Sequence, residues 1–401
     1  MIAVRQAQST VENSPAPGTG KTIVLLSSSS LSLVVFRGEF MRKLAGRGLR
    51  VIALAPDFDP SGRERVRGLG AEPMDITLER TGLSPLRDLR DTVRLARLFR
   101  RLSPDAVVGY FIKPVIYGSI AATLARVPRR FALIAGLGYI FTDSGLRDNW
   151  RRKALRFAVS SLYRLALSLC DRVFFLNRDD RDSFLSAGRV AEDKVVLLPS
   201  EGIDLDRFSP APPVTSPIRF LLIARLLREK GLFEFAEAAR IVRERHPEVE
   251  FHLVGGADPN PGALSPDVVE GWVREGVLEW KGEIADVRPA IAMSSVYVLP
   301  SYREGKPIST QEAMAMARPI ITTDVPGCRD TVEEGVNGFL VPVRDSRALA
   351  EAMIRFVEDP GLIAVMGAQS RRIAERNFDV AAINETIVAA IGLDRWAPVF
   401  R

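Results

Sequence analysis

Cysteine and histidine are scarce in this chain of 401 residues, which contains only two of each. Cys170 and Cys328 lie far apart, and two lone cysteines in a chain of this size indicate a reducing compartment and no disulfide framework. His246 precedes a proline and His252 lies inside a predicted strand, so we expect structural roles for both histidines.

Long apolar runs are also missing. No stretch of about 18 uncharged apolar residues occurs, so we expect no membrane-spanning helix. Residues 1–20 have no apolar core and are rich in serine, proline, glycine and glutamine, which predicts a disordered tail and not a targeting peptide. No Gly-x-Gly-x-x-Gly follows the first predicted strand, which disfavours a dinucleotide-dependent dehydrogenase.

Apolar residues make up 47% of the chain, enough for two cores, and the length favours two domains. Predicted strands alternate with helices, as is typical of parallel sheets covered by helices on both faces. The predicted strands are Thr22–Leu26, Val51–Ala55, Asp105–Gly109, Phe131–Ala135, Arg172–Leu176, Lys194–Leu198, Arg219–Ile223, Glu250–Val254, Val277–Lys281, Val296–Pro300, Pro319–Thr323 and Gly338–Pro342. Four prolines in residues 208–217 predict a linker between a first domain at 21–207 and a second at 218–380.

Positive charge is concentrated in one part of the chain. The pI is about 9.5, and residues 126–164 hold nine Arg or Lys against two acids. No aromatic-basic platform or helix-turn-helix pattern accompanies this charge, so an anionic membrane surface is a better partner than nucleic acid. The segment 150–170 reads either as a core helix or as a membrane-surface helix, and a second basic helix at 86–102 is expected to pack on a sheet.

Two carboxylates, Glu304 and Glu312, bracket a Gly-Lys-Pro turn and the start of a predicted helix. Pro307 suits the first helical position, and the free N–H groups behind it favour an anionic ligand such as a diphosphate. Ionised carboxylates instead suit hydroxyl groups. A pair of hydrolytic carboxylates is disfavoured, because eight helical residues span ~12 Å whereas the two carboxyl groups of a glycosidase lie roughly 5–9.5 Å apart. The pattern therefore predicts a nucleotide-sugar site, with ordinary surface acids as the alternative.

A basic pair follows another predicted strand. Arg225 and Lys230 come after Arg219–Ile223, at the carboxyl end where open α/β sheets bind ligands, and both suit a phosphate. Cations at a helix start are unfavourable for the helix dipole, which favours a functional role over solvated charges. Gly255 and Gly256 end a further strand and either permit close approach of a ligand or form only a turn.

These motifs together resemble the retaining glycosyltransferases of family 4, which have the GT-B architecture of two Rossmann-like domains facing across a cleft. The resemblance covers residues 22–390 and is strongest after residue 218. A narrower likeness, to bacterial enzymes that build surface polysaccharides on lipid carriers, rests on the first half. The family resemblance rests on Arg225 with Lys230-Gly231, Glu304 with Glu312, Pro326-Gly327 and Asn337-Gly338. The narrower likeness rests on Gly109–Gly118 and Ala135–Thr142.

The resemblance implies specific roles in donor binding. Glu304 is expected to hold donor-sugar hydroxyls and Glu312 the ribose hydroxyls. The amides of Gly305 and Lys306 are expected to contact sugar and diphosphate, whereas the Lys306 side chain is expected to be solvated. Glu283 and Ile284 occupy the position that touches the base. A last helix within 381–401 is expected to cross back to the first domain.

The acceptor side matches the family less well. Family members often have a glycine-rich loop after the first strand, where this chain has small hydroxyl residues that include Ser28 and Ser29. Many also have a histidine in the first domain, and Lys113 occupies the comparable stretch here, with a contact to the acceptor diphosphate or donor sugar and a structural role both open. Tyr139 is a further acceptor-side candidate from the motif of the narrower likeness.

The resemblance implies a retaining transferase that moves a hexose or N-acetylhexosamine from a UDP-sugar to a polyprenyl-diphosphate-linked saccharide. Its place would be the cytoplasmic face of the cell membrane. No metal or cofactor is expected, because Arg225, Lys230 and helix amides can neutralise the departing diphosphate. Two alternatives remain, a two-domain sugar-nucleotide epimerase and a catalytically silent scaffold of a polysaccharide assembly complex.

Overall fold

The protein is described here by a computed structural model that covers residues 20–78, 84–136, 150–258 and 262–393, without the side chains of 150–156. Most of the predicted tail, Tyr139 and the end of the chain after 393 lie outside these ranges. None of the helices within them is long and apolar enough to cross a bilayer.

The first domain is built on a seven-stranded parallel sheet of order β3-β2-β1-β4-β5-β6-β7. Its strands are β1 Thr22–Leu26, β2 Arg50–Ala55, β3 Ala71–Asp75, β4 Ala106–Tyr110, β5 Arg129–Ile134, β6 Arg172–Phe175 and β7 Val195–Leu197. Its helices are α1 Ser30–Gly46, α2 Pro60–Gly68, α3 Pro85–Leu102, α4 Ser119–Leu124, α5 Trp150–Ser168 and α6 Arg178–Ser186, with a π-helical turn at Pro114–Gly118. The central strands are apolar throughout because helices cover both of their faces.

The second domain repeats this plan with a six-stranded parallel sheet of order β10-β9-β8-β11-β12-β13. Its strands are β8 Arg219–Ile223, β9 Glu250–Val254, β10 Glu279–Trp280, β11 Val296–Leu299, β12 Ile320–Thr323 and β13 Gly338–Val341. Its helices are α7 Leu232–Arg245, α8 Pro266–Arg274, α9 Arg288–Ala292, α10 Ile308–Ala315, α11 Ser346–Glu358 and α12 Gly361–Asn377. A further helix, α13 Val380–Ile391, packs on the first domain. Two parallel sheets with this arrangement confirm the predicted α/β fold class.

Each sheet has one point where the strand order reverses. In the first sheet it lies between β1 and β4, and in the second between β8 and β11. Loops leaving the carboxyl ends of two such strands diverge to opposite faces, which opens a crevice suited to ligands. The fold therefore places the loops after β1 and β4, and those after β8 and β11, at its two favoured binding positions.

One strand of the structure, β3, is not among the strands predicted from the sequence. It runs Ala-Glu-Pro-Met-Asp and forms the edge of the first sheet, pairing only with β2 among the described residues. Pro73 is tolerated there because an edge strand has one side without ladder hydrogen bonds. A short, polar edge strand carries neither the apolar run nor the alternation that identifies buried strands.

The chain passes between the domains earlier than the prolines of 208–217 suggested. Ile203 and Phe208 pack in the apolar core of the second domain, so the segment from 203 onward already belongs to it. The return passage lies beside this one, because the N–H of Ile203 donates to the carbonyl of Phe378 at 2.7 Å. α13 then packs Ile383 and Ile387 into the core of the first domain.

Candidate active site

The loops after β8 and β11 meet at the reversal point of the second sheet. Gly231 has a φ of 74°, and a Cβ there would lie 2.1 Å from the carbonyl oxygen of Pro300, so only glycine permits this contact. The approach brings the Lys230 ammonium into an ion pair with the Glu304 carboxylate, and the Ser301 hydroxyl donates to the same oxygen at 2.7 Å. Two predicted site residues thus lie in direct contact.

Arg225 stands at the open side of the same crevice. Its side chain is 47% exposed and forms an ion pair with Asp258, whose side chain is only 8% exposed. Asp258 holds the guanidinium beside the end of β9, within reach of a ligand above the sheet. Asp258 is not among the residues predicted for the site, although its position two residues after a pair of glycines at a strand end is a signal in the sequence.

Close backbone contacts explain the glycines at the end of β9. Gly255 has a φ of 145°, and a Cβ there would lie 1.8 Å from the Ala224 carbonyl oxygen. A Cβ on Gly256 would lie 2.8 Å from the Glu283 carboxylate, which places Glu283 over this loop. Ile284 is half-buried against the core. Both glycines therefore let the loops after β8, β9 and β10 converge.

Glu312 lies on α10 with its carboxylate unpaired by any described residue. Burial raises its pKa to about 7, with Arg207 lowering it and Asp286 raising it. Pro307 is the residue before the first helical position, one earlier than predicted. A carboxylate with a pKa near neutrality can accept hydrogen bonds from a ligand and can release a proton when it does so.

The Lys306 side chain is not solvated, contrary to the expectation from sequence. Its ammonium is 6% exposed and forms an ion pair with Asp330 at 3.0 Å, while burial lowers its pKa. The fold could hide this charge because Asp330, 24 residues later, supplies a partner that local sequence does not reveal.

The loop of Glu304 also contacts the first domain. The Gly305 carbonyl accepts a hydrogen bond from the Asn177 side chain at 2.6 Å, and a Cβ on Gly305 would lie 2.4 Å from the Ala135 carbonyl oxygen. Arg303 forms an ion pair with Asp180, whose pKa is raised by burial. Donor-side residues are therefore held directly against the carboxyl edge of the first sheet, across the interdomain cleft.

Two of the acceptor-side candidates, Ser29 and Lys113, have partners within the protein. Ser28 is buried, and the Ser29 hydroxyl caps α1 by accepting from the N–H of Ser32 at 3.4 Å. The Lys113 ammonium lies 2.8 Å from the buried Asp88 carboxylate, which also accepts from a tyrosine of the π-helical turn. Ser29 and Lys113 thus have structural contacts that explain their presence, and Tyr139 lies outside the described residues.

Within the described ranges, no three His, Cys, Asp or Glu side chains are grouped as metal ligands would be. His252 lies between the Glu250 and Glu279 carboxylates at 3.4 and 3.1 Å, on the outer strands of the second sheet. Burial lowers the pKa of His252, with the nearby Glu279 opposing this effect. Its surroundings agree with the structural role expected from sequence.

Comparison with known proteins assigns both domains. Residues 34–201 match the glycosyl transferase 4-like domain, and residues 217–359 match glycosyl transferases group 1. The chain is 28% identical over 354 residues to N,N'-diacetylbacillosaminyl-diphospho-undecaprenol alpha-1,3-N-acetylgalactosaminyltransferase of Campylobacter jejuni, covering 85% of this chain and 90% of that one. It is 25% identical over 318 residues to UDP-Gal:alpha-D-GlcNAc-diphosphoundecaprenol alpha-1,3-galactosyltransferase of Escherichia coli, covering 74% and 78%.

Solved structures agree on the fold. HepE of Anabaena, determined with UDP and glucose, superposes with a TM-score of 0.72 at 18% identity, covering 93% of this chain and 100% of that one. Sucrose-phosphate synthase of Thermosynechococcus elongatus superposes with a TM-score of 0.73 at 19% identity, covering 92% of this chain and 98% of that one. The two domain matches together span most of the chain, so it belongs to the group 1 glycosyltransferases with a glycosyltransferase 4-like first domain and the GT-B fold.

Proposed function

We propose that this glycosyltransferase moves a hexose or N-acetylhexosamine from a UDP-sugar to a saccharide carried on a polyprenyl diphosphate, with retention of the anomeric configuration. The observation that carries the proposal is the ion pair of Lys230 with Glu304 at the reversal point of the second sheet. Arg225 follows the same strand as Lys230, and Glu312 lies on the helix after Glu304. Cations beside carboxylates at one crevice suit a ligand that is a diphosphate at one part and a polyol at others.

The donor diphosphate would lie between Arg225 and Lys230. The Lys230 ammonium now neutralises Glu304, and a bound diphosphate would draw it away. Glu304 would then accept hydrogen bonds from donor-sugar hydroxyls, with the Ser301 hydroxyl still orienting it. Glu312 would accept from the ribose hydroxyls. The two cations and the first N–H groups of α10 would stabilise the negative charge that develops on the departing diphosphate, without a metal or other cofactor.

Relatives support the choice of donor and acceptor. The name of the Escherichia coli relative specifies UDP-Gal and a GlcNAc-diphosphoundecaprenol, and that of the Campylobacter jejuni relative specifies transfer of N-acetylgalactosamine to a diphospho-undecaprenol saccharide. A UDP-linked hexose or N-acetylhexosamine and a lipid-linked saccharide are therefore the substrates to which we assign this site.

Transfer would proceed on one face of the donor sugar. The bond between the anomeric carbon and the phosphate oxygen breaks, the acceptor oxygen bonds to the same face, and the acceptor proton passes to the departing phosphate. In the donor complex the Ser301 hydroxyl would still hold the Glu304 carboxylate, which suits a hydroxyl-binding role better than that of a nucleophile. Retention should appear by NMR as an unchanged anomeric configuration in the product, and a trapped covalent glycosyl-enzyme would contradict this mechanism.

We infer that the first domain also carries a membrane-binding surface beside the cleft. α3 does pack on the sheet as expected, but Leu86 and Leu89 on its other face are 82% and 61% exposed. Its acids, Asp88 and Asp91, are buried, and its arginines are exposed. α3 follows β3, so it begins at the carboxyl edge of the sheet, beside the cleft. This surface would bind anionic lipid at the cytoplasmic face of the membrane, where the acceptor is anchored.

Co-sedimentation with anionic vesicles tests the membrane surface. Binding should fall as salt increases, and Leu86→Glu with Leu89→Glu should weaken it, whereas Val365→Glu, which changes an equally exposed apolar residue of the second domain, should not. Binding that is absent, or insensitive to both salt and the α3 substitutions, would contradict the assignment.

A transfer assay tests the function as a whole. The purified enzyme should move radiolabel from UDP-N-acetylgalactosamine or UDP-galactose to GlcNAc-diphosphoundecaprenol or to the bacillosamine-linked lipid. Isomerisation of the nucleotide sugar without any acceptor would instead favour the epimerase. Nucleotide-sugar binding and transfer that are both absent would favour the silent scaffold.

A further inference from the structure

A second cluster of charged side chains lies outside the donor site, at the carboxyl edge of the first sheet. Arg37 of α1 is only 2% exposed, and its Nη2 lies 3.6 Å from Glu201 Oε1, too far for a hydrogen bond. The guanidinium carbon of Arg37 stands 4.8 Å from the ring centre of Tyr110. The three residues come from α1, the end of β4 and the passage after β7, so the fold alone brings them together.

The polar atoms of this cluster are unpaired. Nε, Nη1 and Nη2 of Arg37, Oε2 of Glu201 and the hydroxyl of Tyr110 are buried, and no residue in the described part of the chain forms a hydrogen bond with them. Buried charged groups are ordinarily hydrogen-bonded, because burial without a partner is strongly unfavourable. A cluster with donors and acceptors unpaired at one point is therefore suited to a group that enters from outside.

A small cavity adjoins the unpaired atoms. Arg37, Tyr110 and Glu201 line it together with Ser27 after β1 and Ala135 after β5, and it has room for about one water molecule. It lies at the reversal point of the first sheet, between β1 and β4. Ala135 is also the residue whose carbonyl approaches Gly305, so the cavity and the donor loop share a wall.

The residue after Tyr110 is strained. Phe111 lines the cavity and has a φ of 72°, a left-handed conformation that bulky side chains rarely adopt. Strain of this kind is retained where the surrounding structure enforces it, and such positions cluster at ligand sites. Phe111 and Ala135 are only partly buried and form the open side of the cavity.

The charges of the cluster decide which group fits. Arg37 and Glu201 have opposite charges, so the pair offers no net attraction to an anionic diphosphate. A hydroxyl group can donate to the free carboxylate oxygen of Glu201 and accept from the Arg37 guanidinium at the same time. A single hydroxyl group is about as large as the cavity allows. The chemistry thus selects a neutral polyol over a phosphate.

We propose that Arg37, Glu201 and Tyr110 form a subsite that binds one hydroxyl group of the acceptor saccharide. Glu201 accepts its hydrogen bond, Arg37 donates to its oxygen, and the contact fixes the acceptor sugar against the donor loop. This subsite rests on the proposed function, because it assigns acceptor recognition to that same cleft. It is a specificity site and takes no part in bond cleavage.

Acceptor kinetics with Glu201→Gln test the subsite. Substitution should raise the acceptor KM by about 10–100-fold, because a hydrogen bond to a charged group is lost, while the donor KM and UDP affinity stay unchanged. Arg37→Met should have the same effect if it folds. Arg50→Met, which removes an exposed ion pair with Glu72 elsewhere on the same sheet, is the matched control.

Monodeoxy forms of the acceptor make the test independent of protein folding. With GlcNAc-diphosphoundecaprenol as the probe, removal of the 4- or the 6-hydroxyl should lower kcat/KM for the wild-type enzyme by a similar factor. The same analogue should lower the kcat/KM of the Glu201→Gln variant little further, because the variant has already lost the hydrogen bond to that hydroxyl group.

Two results would overturn the subsite. One is an equal response of wild type and Glu201→Gln to every deoxy analogue. The other is a joint rise of donor and acceptor KM, which would assign the cluster to positioning the interdomain passage, where Ser200 contacts Gln311. If the wild type transfers sugar to no lipid-linked acceptor, the proposed function itself fails, whereas normal transfer with either result above removes only the subsite.

Discussion

Replacing Glu312 by glutamine should nearly abolish the pH dependence of nucleotide-sugar binding. Burial raises the pKa of Glu312 from its ordinary 4.5 to about 7, so the carboxylate is about half protonated at neutral pH before a donor binds. Ribose hydroxyls donate to the ionised form and favour it. Donor binding should therefore expel a proton, and wild-type affinity should rise with pH.

The expected size follows from the ionised fraction. With a pKa of about 7, the carboxylate is ~10% ionised at pH 6 and ~90% at pH 8, so affinity should rise about tenfold across this range. At pH 7 about half a proton should be released per donor bound. In the Glu312→Gln variant both effects should vanish, and affinity should be lower at pH 8.

Titration calorimetry with UDP-galactose in buffers of different ionisation enthalpy measures both quantities. The intact nucleotide sugar has no phosphate group that titrates near neutrality, so the proton comes from the protein. The same shift predicts that folding stability falls as pH rises from 5 to 8, by up to about 3 kcal/mol, because the folded state binds the proton more tightly. Equal pH profiles for wild type and variant would refute the ribose assignment.

Three further substitutions test the site and its support. Arg225→Ala should lower kcat by about 10²–10³ through lost charge stabilisation of the diphosphate; turnover as high as that of an Arg228→Ala control would refute this role. Gly305→Ala should reduce activity by ~10-fold or more while UDP still binds, because a Cβ would lie 2.4 Å from the Ala135 carbonyl oxygen and hold the two domains apart. Small-angle scattering should show the more open cleft. Arg318→Met should lower the unfolding free energy by about 2–4 kcal/mol in urea, since this buried guanidinium donates to backbone carbonyls; a loss below about 0.5 kcal/mol would contradict it.

The second domain was the more predictable half of the fold. Its central strands are buried on both faces, so β8, β11 and β12 appear in the sequence as short runs rich in apolar and β-branched residues, which residue patterns identify directly. β3 was missed because it is an edge strand with a proline and two acids. The prolines of residues 208–217 did not locate the passage between the domains, which the structure places near Ile203. Prolines indicate a segment without regular secondary structure, but such a segment can still pack in a core.

The donor-site residues could be predicted from the sequence because they follow strand ends in short, local motifs. Lys230 and Glu304 lie 74 residues apart. Each belongs to the loop that follows a strand, and the neighbouring strands β8 and β11 bring the two loops together. Ion-pair partners supplied by distant segments could not be predicted from the sequence. Asp88 and Asp330 are ordinary acids in the sequence, and only the fold shows that they bind Lys113 and Lys306.

The cluster of Arg37, Glu201 and Tyr110 in the first domain could not be predicted from the sequence for the same reason. Arg37 stands in the middle of an otherwise apolar helix face, and Glu201 follows the last strand of the sheet in an irregular segment. Nothing in the local sequence links the two. Their relation becomes visible only when the carboxyl ends of β1, β4 and β7 are placed along one edge.

The most direct test of the central claim is a thermal-shift panel of UDP, GDP, ADP and their common sugars. The account predicts that UDP and a UDP-sugar raise the melting temperature of the wild type, and that Glu312→Gln weakens the effect of both. No shift with any nucleotide at millimolar concentration would contradict the assignment of Arg225, Lys230, Glu304 and Glu312 to a donor site.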